Sequence, residues 1–410
     1  MQYIHRTMED TLLSSLEGPD AIFILGPRQV GKTTLLKRLM EVVGDERALY
    51  YDIERPQDYQ LFTAGYDALI AHLRLNKPSD VGRTYIFVDE IQYLPDLSKV
   101  IKLLVDHHND EFKLVLTGSS SALIMQQFQE SLVGRKRVFT LYPLSFSEFC
   151  RFRGEDKIAD YLQSANAHTP HNPLYTMQIK MQEFTKEYML YGGYPKIVLQ
   201  DNEAIKAELL SDLVSSIILK DIRHIFRIEK PDQLNHLVHL LAGSIGKEFN
   251  ISSLSREIGL HRDTLSNYLM VLQSSFIIQQ IKPFFNNPAK ELRKMPKAYF
   301  IDTGIRNSLL NNFQDIKNRS DGGELFENMV FLNLLHKQTA LSEIKYWKSK
   351  NYQEVDFVSI DNTRITAYKV KLGKDRQTNL AAFHNLYPQA KSYIVRWDYS
   401  YMEDELPGWF

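Results

Sequence analysis

The run Gly26-Pro27-Arg28-Gln29-Val30-Gly31-Lys32-Thr33 sets two glycines five apart and closes on a lysine and a hydroxyl. Residues in that pattern hold phosphate. The glycines let backbone N–H groups turn inward around anionic oxygens, Lys32 reaches β- and γ-phosphates, and the Thr33 hydroxyl suits Mg²⁺. Thr34 carries the loop into the next turn. Further on, Asp89 and Glu90 follow Tyr85-Ile86-Phe87-Val88. Asp89 is placed to hold Mg²⁺, directly or through water, and Glu90 to orient and polarise an attacking water. A third set, Thr117-Gly118-Ser119-Ser120-Ser121, offers hydroxyls to a γ-phosphate or to that water, with Thr117 ahead of Ser119. The same hydroxyls equally read as caps of a helix beginning near Ala122. Arg28 and Arg135 are the arginines that could meet charge developing on a transferred phosphoryl group, in cis or from a neighbouring copy. The expected chemistry is hydrolysis of ATP with Mg²⁺, with Lys32, Glu90, Thr117 and Arg135 as the catalytic set.

Each of these residues needs a strand end or a helix start beneath it. Apolar Ala21 to Leu25 predicts a strand before the loop, and Thr34 to Val43 a helix after it. Ala48 to Ile53 predicts a second strand, bordered by Asp52 and Glu54. Tyr85 to Val88 is apolar on both faces, as in a central parallel strand, and carboxylates at its C-terminal end fall where α/β sheets bind ligands. Lys113 to Leu116 and Arg137 to Leu141 complete the predicted sheet.

With 410 residues the chain is too long for one core. Its 44% hydrophobic and 24% charged residues are those of a globular protein. A net charge of −1 and a pI near 6.9 exclude a whole-surface nucleic-acid binder but not a local basic patch. The single cysteine, Cys150, rules out a disulfide framework and points to a reducing compartment. No apolar run approaches the ~18 residues of a membrane span, and Met1 to Gly18 lacks a signal-peptide core, so the expected address is the cytoplasm.

Arg151 to Tyr175 reads as irregular, followed by helices over 177–191 and 204–226. His236 and His239 lie three apart on a helix but have no third ligand nearby, and read as ordinary helix histidines. A helix over 252–258, a turn at Gly259-Leu260, a helix over 261–274 and strands over 276–281 and 297–301 predict a winged helix. Its outward candidates for double-stranded DNA are His261, Arg262, Thr264, Ser266 and Asn267, with Lys282, Lys290, Arg293, Lys294 and Lys297 as a cationic wing. The same fold serves equally as a packing module. Beyond it, Glu324 and Glu327 stand one turn apart on a helical pattern, and strands over 352–360 and 364–371 form a hairpin about Asp361-Asn362 that brings Asp356 near 368–369.

That C-terminal arrangement resembles the PD-(D/E)XK nuclease core, and the resemblance makes Glu327 the helix acid, Asp356 the strand acid and Lys371 the lysine. Where the family has Glu, this chain has Lys369. On one strand face 369 and 371 both look toward the metal position, and a charge pair there is worth on the order of 4 kcal/mol. The expectation is a nuclease-like fold without nuclease activity. Taken in order, GPRQVGKTT, VDEIQ, LTGSSS, LVGR, PLSFSEF, YGGYPKIV (191–198), KAYFIDTGIRNSLL (297–310), GELFENMV (323–330) and EVDFV (354–358) resemble prokaryotic AAA-superfamily ATP-binding proteins with a winged-helix segment and a C-terminal domain of unknown function. The resemblance implies an α/β chain. A P-loop ATPase domain with a parallel sheet would span 1–150, a helical connector 151–245, a winged-helix segment 246–310 and a nuclease-like α/β domain 311–410. It implies a nucleotide-driven switch or remodeller on DNA or a DNA-associated partner, with oligomers possible and a protein partner possible through the C-terminal domain. The alternatives are a nucleotide-locked scaffold and an ATP-dependent nuclease.

Overall fold

The computed structural model describes residues 3–77, 82–94, 97–121, 124, 132–164, 175–222, 226, 228–285, 295–349, 351, 353–373, 380–397 and 405–410. The chain forms two compact units, Met1–Tyr142 with Ser274–Phe276, and Pro143–Gln273 with Ile277–Phe410. The first unit ends at Tyr142, and a local cause places the residues up to 150 with the second. Ser145 caps the helix Phe146–Phe152 in a capping box with Glu148. The rings of Phe146 and Phe149 then pack edge-on against Tyr188, at 5.7 and 5.4 Å. Residues 143–150 thus belong to the second unit.

The first unit is built on a parallel sheet ordered β2-β3-β4-β1-β5. Its strands are β1 (Ala21–Leu25), β2 (Ala48–Asp52), β3 (Thr84–Asp89), β4 (Phe112–Gly118) and β5 (Lys136–Thr140). β1, β3 and β4 are buried throughout, as their unbroken apolar runs require, whereas β2 and β5 are the half-exposed edges. Phe23, Leu25, Ile86, Val88, Leu114 and Leu116 meet Leu69, Leu73, Ile101 and Leu104 from the covering helices. Because the chain leaps from β1 over β4 and β3 to reach β2, the C-terminal ends of β1, β3 and β4 border one crevice. The helix after β1 starts at Lys32, two residues earlier than its pattern suggested, since left-handed Gly31 (φ 96) turns the chain directly into it.

The second unit opens with helices. Phe146–Phe152 and Asp156–Ser164 occupy much of the stretch read as irregular. Glu203–Val214 gives way to a π-helical Ser215–Ile222, so the helix expected to run on to 226 is interrupted. The helix Ile251–Ile258, capped by the Asn250 side chain, ends at left-handed Gly259 (φ 74) and is followed by the helix Arg262–Ser274. Antiparallel β6 (Ile278–Ile281) and β7 (Lys297–Phe300) come next. The C-terminal sheet is ordered β12-β11-β10-β9-β8. Its strands are β8 (Ser342–Lys348), β9 (Glu354–Asp361), β10 (Arg364–Lys371), β11 (Lys391–Arg396) and β12 (Glu405–Pro407). β8–β9 and β9–β10 are antiparallel, β10–β11 and β11–β12 parallel.

Buried polar contacts fuse the segments expected as three domains. Asp302 accepts from the N–H groups of Gly193 (2.7 Å) and Ile305 (2.9 Å), joining the sequences around 191–198 and 297–310. Burial pushes its carboxyl up to about 6. The Asn328 amide on the helix Gly322–His336 pairs with both the N–H (2.8 Å) and the C=O (2.9 Å) of Phe300 on β7. Among the described residues no helix is long and apolar enough to cross a membrane.

Candidate nucleotide site

The phosphate-loop residues and the acids converge at the C-terminal ends of β1, β3 and β4. Gly26 is held against β4 by its N–H bond to the Gly118 carbonyl (3.2 Å), and a methyl at Gly26 would collide with the Leu141 carbonyl, so only glycine fits. Gln29 (φ 61) and Gly31 (φ 96) take left-handed conformations that bend the loop over Pro27, Arg28 and Val30. Lys32, 5% exposed, donates to the carbonyls of Gly26 (3.0 Å) and Pro27 (2.8 Å), curling its ammonium over the loop. Thr34 continues the first helical turn.

The Thr33 hydroxyl donates to Asp89 Oδ2 at 2.7 Å, and the Thr117 hydroxyl to Asp89 Oδ1. An all-oxygen pair of one hydroxyl and one carboxylate is what Mg²⁺ takes from a protein when phosphate supplies the rest, so Thr33 and Asp89 fit that ion. Glu90 adopts a left-handed backbone (φ 58, ψ 46), unusual for a residue with a Cβ and costing about 1–2 kcal/mol. Its N–H meets Thr117 Oγ1 at 3.3 Å, and its carboxylate accepts from the Gln92 amide. Gln92 in turn accepts from the Ser119 N–H (3.1 Å). The Ser119 and Ser120 hydroxyls are buried with no protein hydrogen-bond partner among the described residues.

The two candidate arginines separate. Arg28 lies within the loop, bonded to the Tyr93 hydroxyl and 3.8 Å from Glu54. Arg135 precedes β5, whose first residue Lys136 pairs with Ala21, the first of β1, so it stands at the sheet edge opposite the loop. There it is ion-paired with Asp106. A strand of five residues spans about 16 Å, which puts Arg135 out of reach of a phosphate bound by its own chain. Of the two routes open to this arginine, in cis or from a neighbouring copy, its position favours the second.

A second cluster lies in the second unit. Asp356 on β9 accepts from Lys369 Nζ (2.7 Å) and the Val370 N–H (2.6 Å) on β10, so Lys369 turns toward the acid and not away. Lys371 ends the same strand, two residues on. Glu327 accepts from the Tyr299 hydroxyl at 2.5 Å. Lys297, expected on an exposed basic wing, is 3% exposed and inserted among these acids, 2.5 Å from Glu354 and 3.7 Å from Glu327. The correction has a simple cause: strand β7 pairs with β6 and faces the helix Gly322–His336, so its first side chain points inward. Burial opposes the Lys297 charge, yet Glu327, Glu354 and Asp356 together hold its pKa above that of an ordinary lysine. Burial, and then Asp356, pushes the Glu327 carboxyl up to about 7. Among the described residues no three His, Cys, Asp or Glu side chains are set to hold a metal. His261, Arg262, Ser266, Asn267 and Lys282 are exposed, Thr264 half-buried, and Asp263 directly follows Arg262. Lys290, Arg293 and Lys294 lie outside the described residues.

Residues 18–150 match the family described as AAA domain, 182–316 a domain of unknown function (DUF8612) and 322–405 another (DUF4143). An uncharacterized protein of Haemophilus influenzae is 26% identical over 82% of this chain and 78% of its own length. Uncharacterized protein MJ1544 of Methanocaldococcus jannaschii is 30% identical over 82% of this chain and 71% of its own length. The chain belongs to the MJ1544 family. Among solved structures, the STAND protein PH0952 from Pyrococcus horikoshii, which has a tetratricopeptide repeat sensor, is 12% identical with a TM-score of 0.32 over 82% of this chain and 46% of that one. Cdc6p from Pyrobaculum aerophilum is 15% identical with a TM-score of 0.29, over 76% and 95% respectively. Likenesses of this strength bear on neither activity nor partner.

For this member of the MJ1544 family, the AAA domain carries the phosphate loop, both acids and the strand-end hydroxyls. Three contributors were not read from the sequence. Tyr50 on β2 places its hydroxyl 3.3 Å from Asp89 Oδ2, and burial, then Asp89, raises its pKa. Gln92 holds Glu90, and its spacing of two from that acid was the one signal available. Arg6, which precedes the matched AAA region, reaches the loop from outside it.

Proposed function

We propose that the protein is a Mg²⁺-dependent ATPase of the AAA type that works as a nucleotide-driven switch or remodeller. The observation that carries this reading is the network Thr33–Asp89–Thr117 at the ends of three parallel strands, beside a lysine poised over the loop. Bound Mg²⁺ would draw charge from the phosphate oxygens, held by Thr33 and Asp89. The loop N–H groups and Lys32 orient the phosphates. Thr117 fixes Asp89 and receives the Glu90 N–H, so occupancy at one strand end is felt at the next. Glu90, aimed by Gln92 and by its own left-handed backbone, takes the proton of an attacking water. The test is ATP turnover with Mg²⁺. Turnover in Glu90→Gln at the wild-type rate would sink the assignment of the base.

The placement of Arg135 favours a second reading. Without that arginine a single chain lacks one stabiliser of developing phosphoryl charge, so turnover is slow unless a neighbouring copy supplies it. A scaffold locked by tightly bound nucleotide is the limiting case, and turnover that stays negligible at every protein concentration would establish it. DNA as the partner rests on the helix–turn–helix and hairpin, read as a winged helix, with His261, Arg262 and Asn267 outward. Salt-dependent binding of double-stranded DNA that weakens in Arg262→Ala supports it; no affinity at low salt removes it. The C-terminal domain we read as nuclease-like and inactive, because Lys297 and Lys369 stand among the acids that would bind metal. Cleavage with Mg²⁺ or Mn²⁺ that is lost in Asp356→Ala would overturn this.

A further inference from the structure

We infer that Arg6 is a positioning residue of the nucleotide site, holding the phosphate loop open from behind. The inference rests on the nucleotide reading above but concerns a residue that lies before the matched AAA region. Arg6 sits in the segment ahead of the helix Met8–Leu16 and is 5% exposed. Its Nη1 donates to the Val30 carbonyl at 2.8 Å and its Nη2 to the Tyr142 carbonyl at 2.9 Å. Val30 is the last loop residue before left-handed Gly31, and Nη1 lies 3.9 Å from where a Gly31 Cβ would stand.

A phosphate loop works only if its N–H groups face the anion, which requires its carbonyls to face away and find donors elsewhere. A buried carbonyl without a donor turns toward whatever donor it can reach, and Lys32 already takes two loop carbonyls. Arg6 supplies the donor for Val30. The guanidinium is suited to this because it is planar, permanently charged and can span two carbonyls at fixed angles. Tyr142, its second partner, follows Leu141, whose carbonyl closes on Gly26 at the other end of the loop. Arg6 therefore braces the last loop residue against the strand end that packs the first. It also leaves a fixed positive charge behind a loop built to hold anions, an attraction that grows with ligand charge.

A residue with this role affects binding without touching the reacting atoms. The experiment compares wild type, Arg6→Gln and Arg6→Lys in binding of a non-hydrolysable ATP analogue and in steady-state ATP turnover, with circular dichroism of each protein as control. Arg6→Gln is expected to weaken analogue binding roughly tenfold and to raise KM similarly while kcat stays within about twofold; Arg6→Lys, keeping charge and one donor, recovers at least part. Analogue affinity unchanged in a folded Arg6→Gln would overturn the inference. So would a parallel fall in kcat and KM performance together with melting temperature in both variants, which marks a purely structural residue. Should the wild type bind no nucleotide, the reading of the site itself fails, an outcome distinct from either.

Discussion

Replacing Lys297 with Met should destabilise the second unit in a pH-dependent way. The substitution keeps the stem of a 3% exposed side chain and removes the cation 2.5 Å from Glu354 and 3.7 Å from Glu327. Leaving a buried acid uncompensated costs about 3–5 kcal/mol. The sign of the pH effect follows from Glu327, whose folded pKa of about 7 stands above its unfolded value of 4.5. The stability this contributes is fully present below 4.5 and is lost as pH rises through about 7. Lys297 opposes that loss by attracting the charged form, so removing it hurts most where Glu327 is ionised. Urea unfolding at pH 5.5 and pH 8.5, followed by tryptophan fluorescence, is the assay. Trp347, Trp397 and Trp409 all lie in the second unit, so the signal reports on it alone. Comparison with wild type at each pH cancels the other titrating groups, including Asp302. The expected destabilisation is about 3–5 kcal/mol at pH 8.5 and about half that at pH 5.5. Equal destabilisation at both values, or less than about 1 kcal/mol at pH 8.5, would refute Lys297 as the counter-charge of Glu327.

In the nucleotide site, Lys32→Ala is expected to lower ATP affinity by about a hundredfold, measured by calorimetry. Glu90→Gln should bind ATP as wild type does while losing about 10²-fold or more in kcat, checked by phosphate release. In the second unit, Asn328→Ala leaves the Phe300 N–H and C=O unpaired; a loss of about 2–4 kcal/mol is expected in the same fluorescence assay. Lys369→Glu restores an acid beside Asp356, and Mn²⁺ should then raise the melting temperature of the variant but not of wild type; no shift in the variant would mean that more than this one charge keeps metal out.

The strands beneath the candidate nucleotide site, and the placing of Asp89 and Glu90 at the end of one of them, were legible because each signal is local. An apolar run, a glycine pattern or a pair of carboxylates states its own position, and a parallel sheet brings strand ends together without further instruction. What escaped was set by distance in sequence. Arg6 and Val30 lie 24 residues apart and Arg6 and Tyr142 lie 136 apart, and nothing in a lone arginine marks it as a loop brace. For Arg135 the motif left open whether it would act in cis or from a neighbouring copy, because it fixed the order of residues but not which end of the sheet the arginine would occupy. Lys297 read as surface charge because lysine usually is; its burial depends on acids from β9 and from a helix some thirty residues on. The break of the helix near Val214 has no sequence signal we can identify, since the apolar spacing continues through Ser215–Ile222.

The position of Lys297 bears on how this chain can be divided or inherited. Residues 182–316 and 322–405 each match a separate domain of unknown function, and the two meet in the short stretch between them. Yet the base lies in one and its acids in the other, as do Phe300 and the Asn328 amide that completes its hydrogen bonds. A fragment cut at that junction would carry charge and open polar groups on a face built to be dry. Exchange of the C-terminal segment between relatives should succeed only when the hairpin strand travels with it, so the smallest transferable piece is larger than the segment that bears the acids.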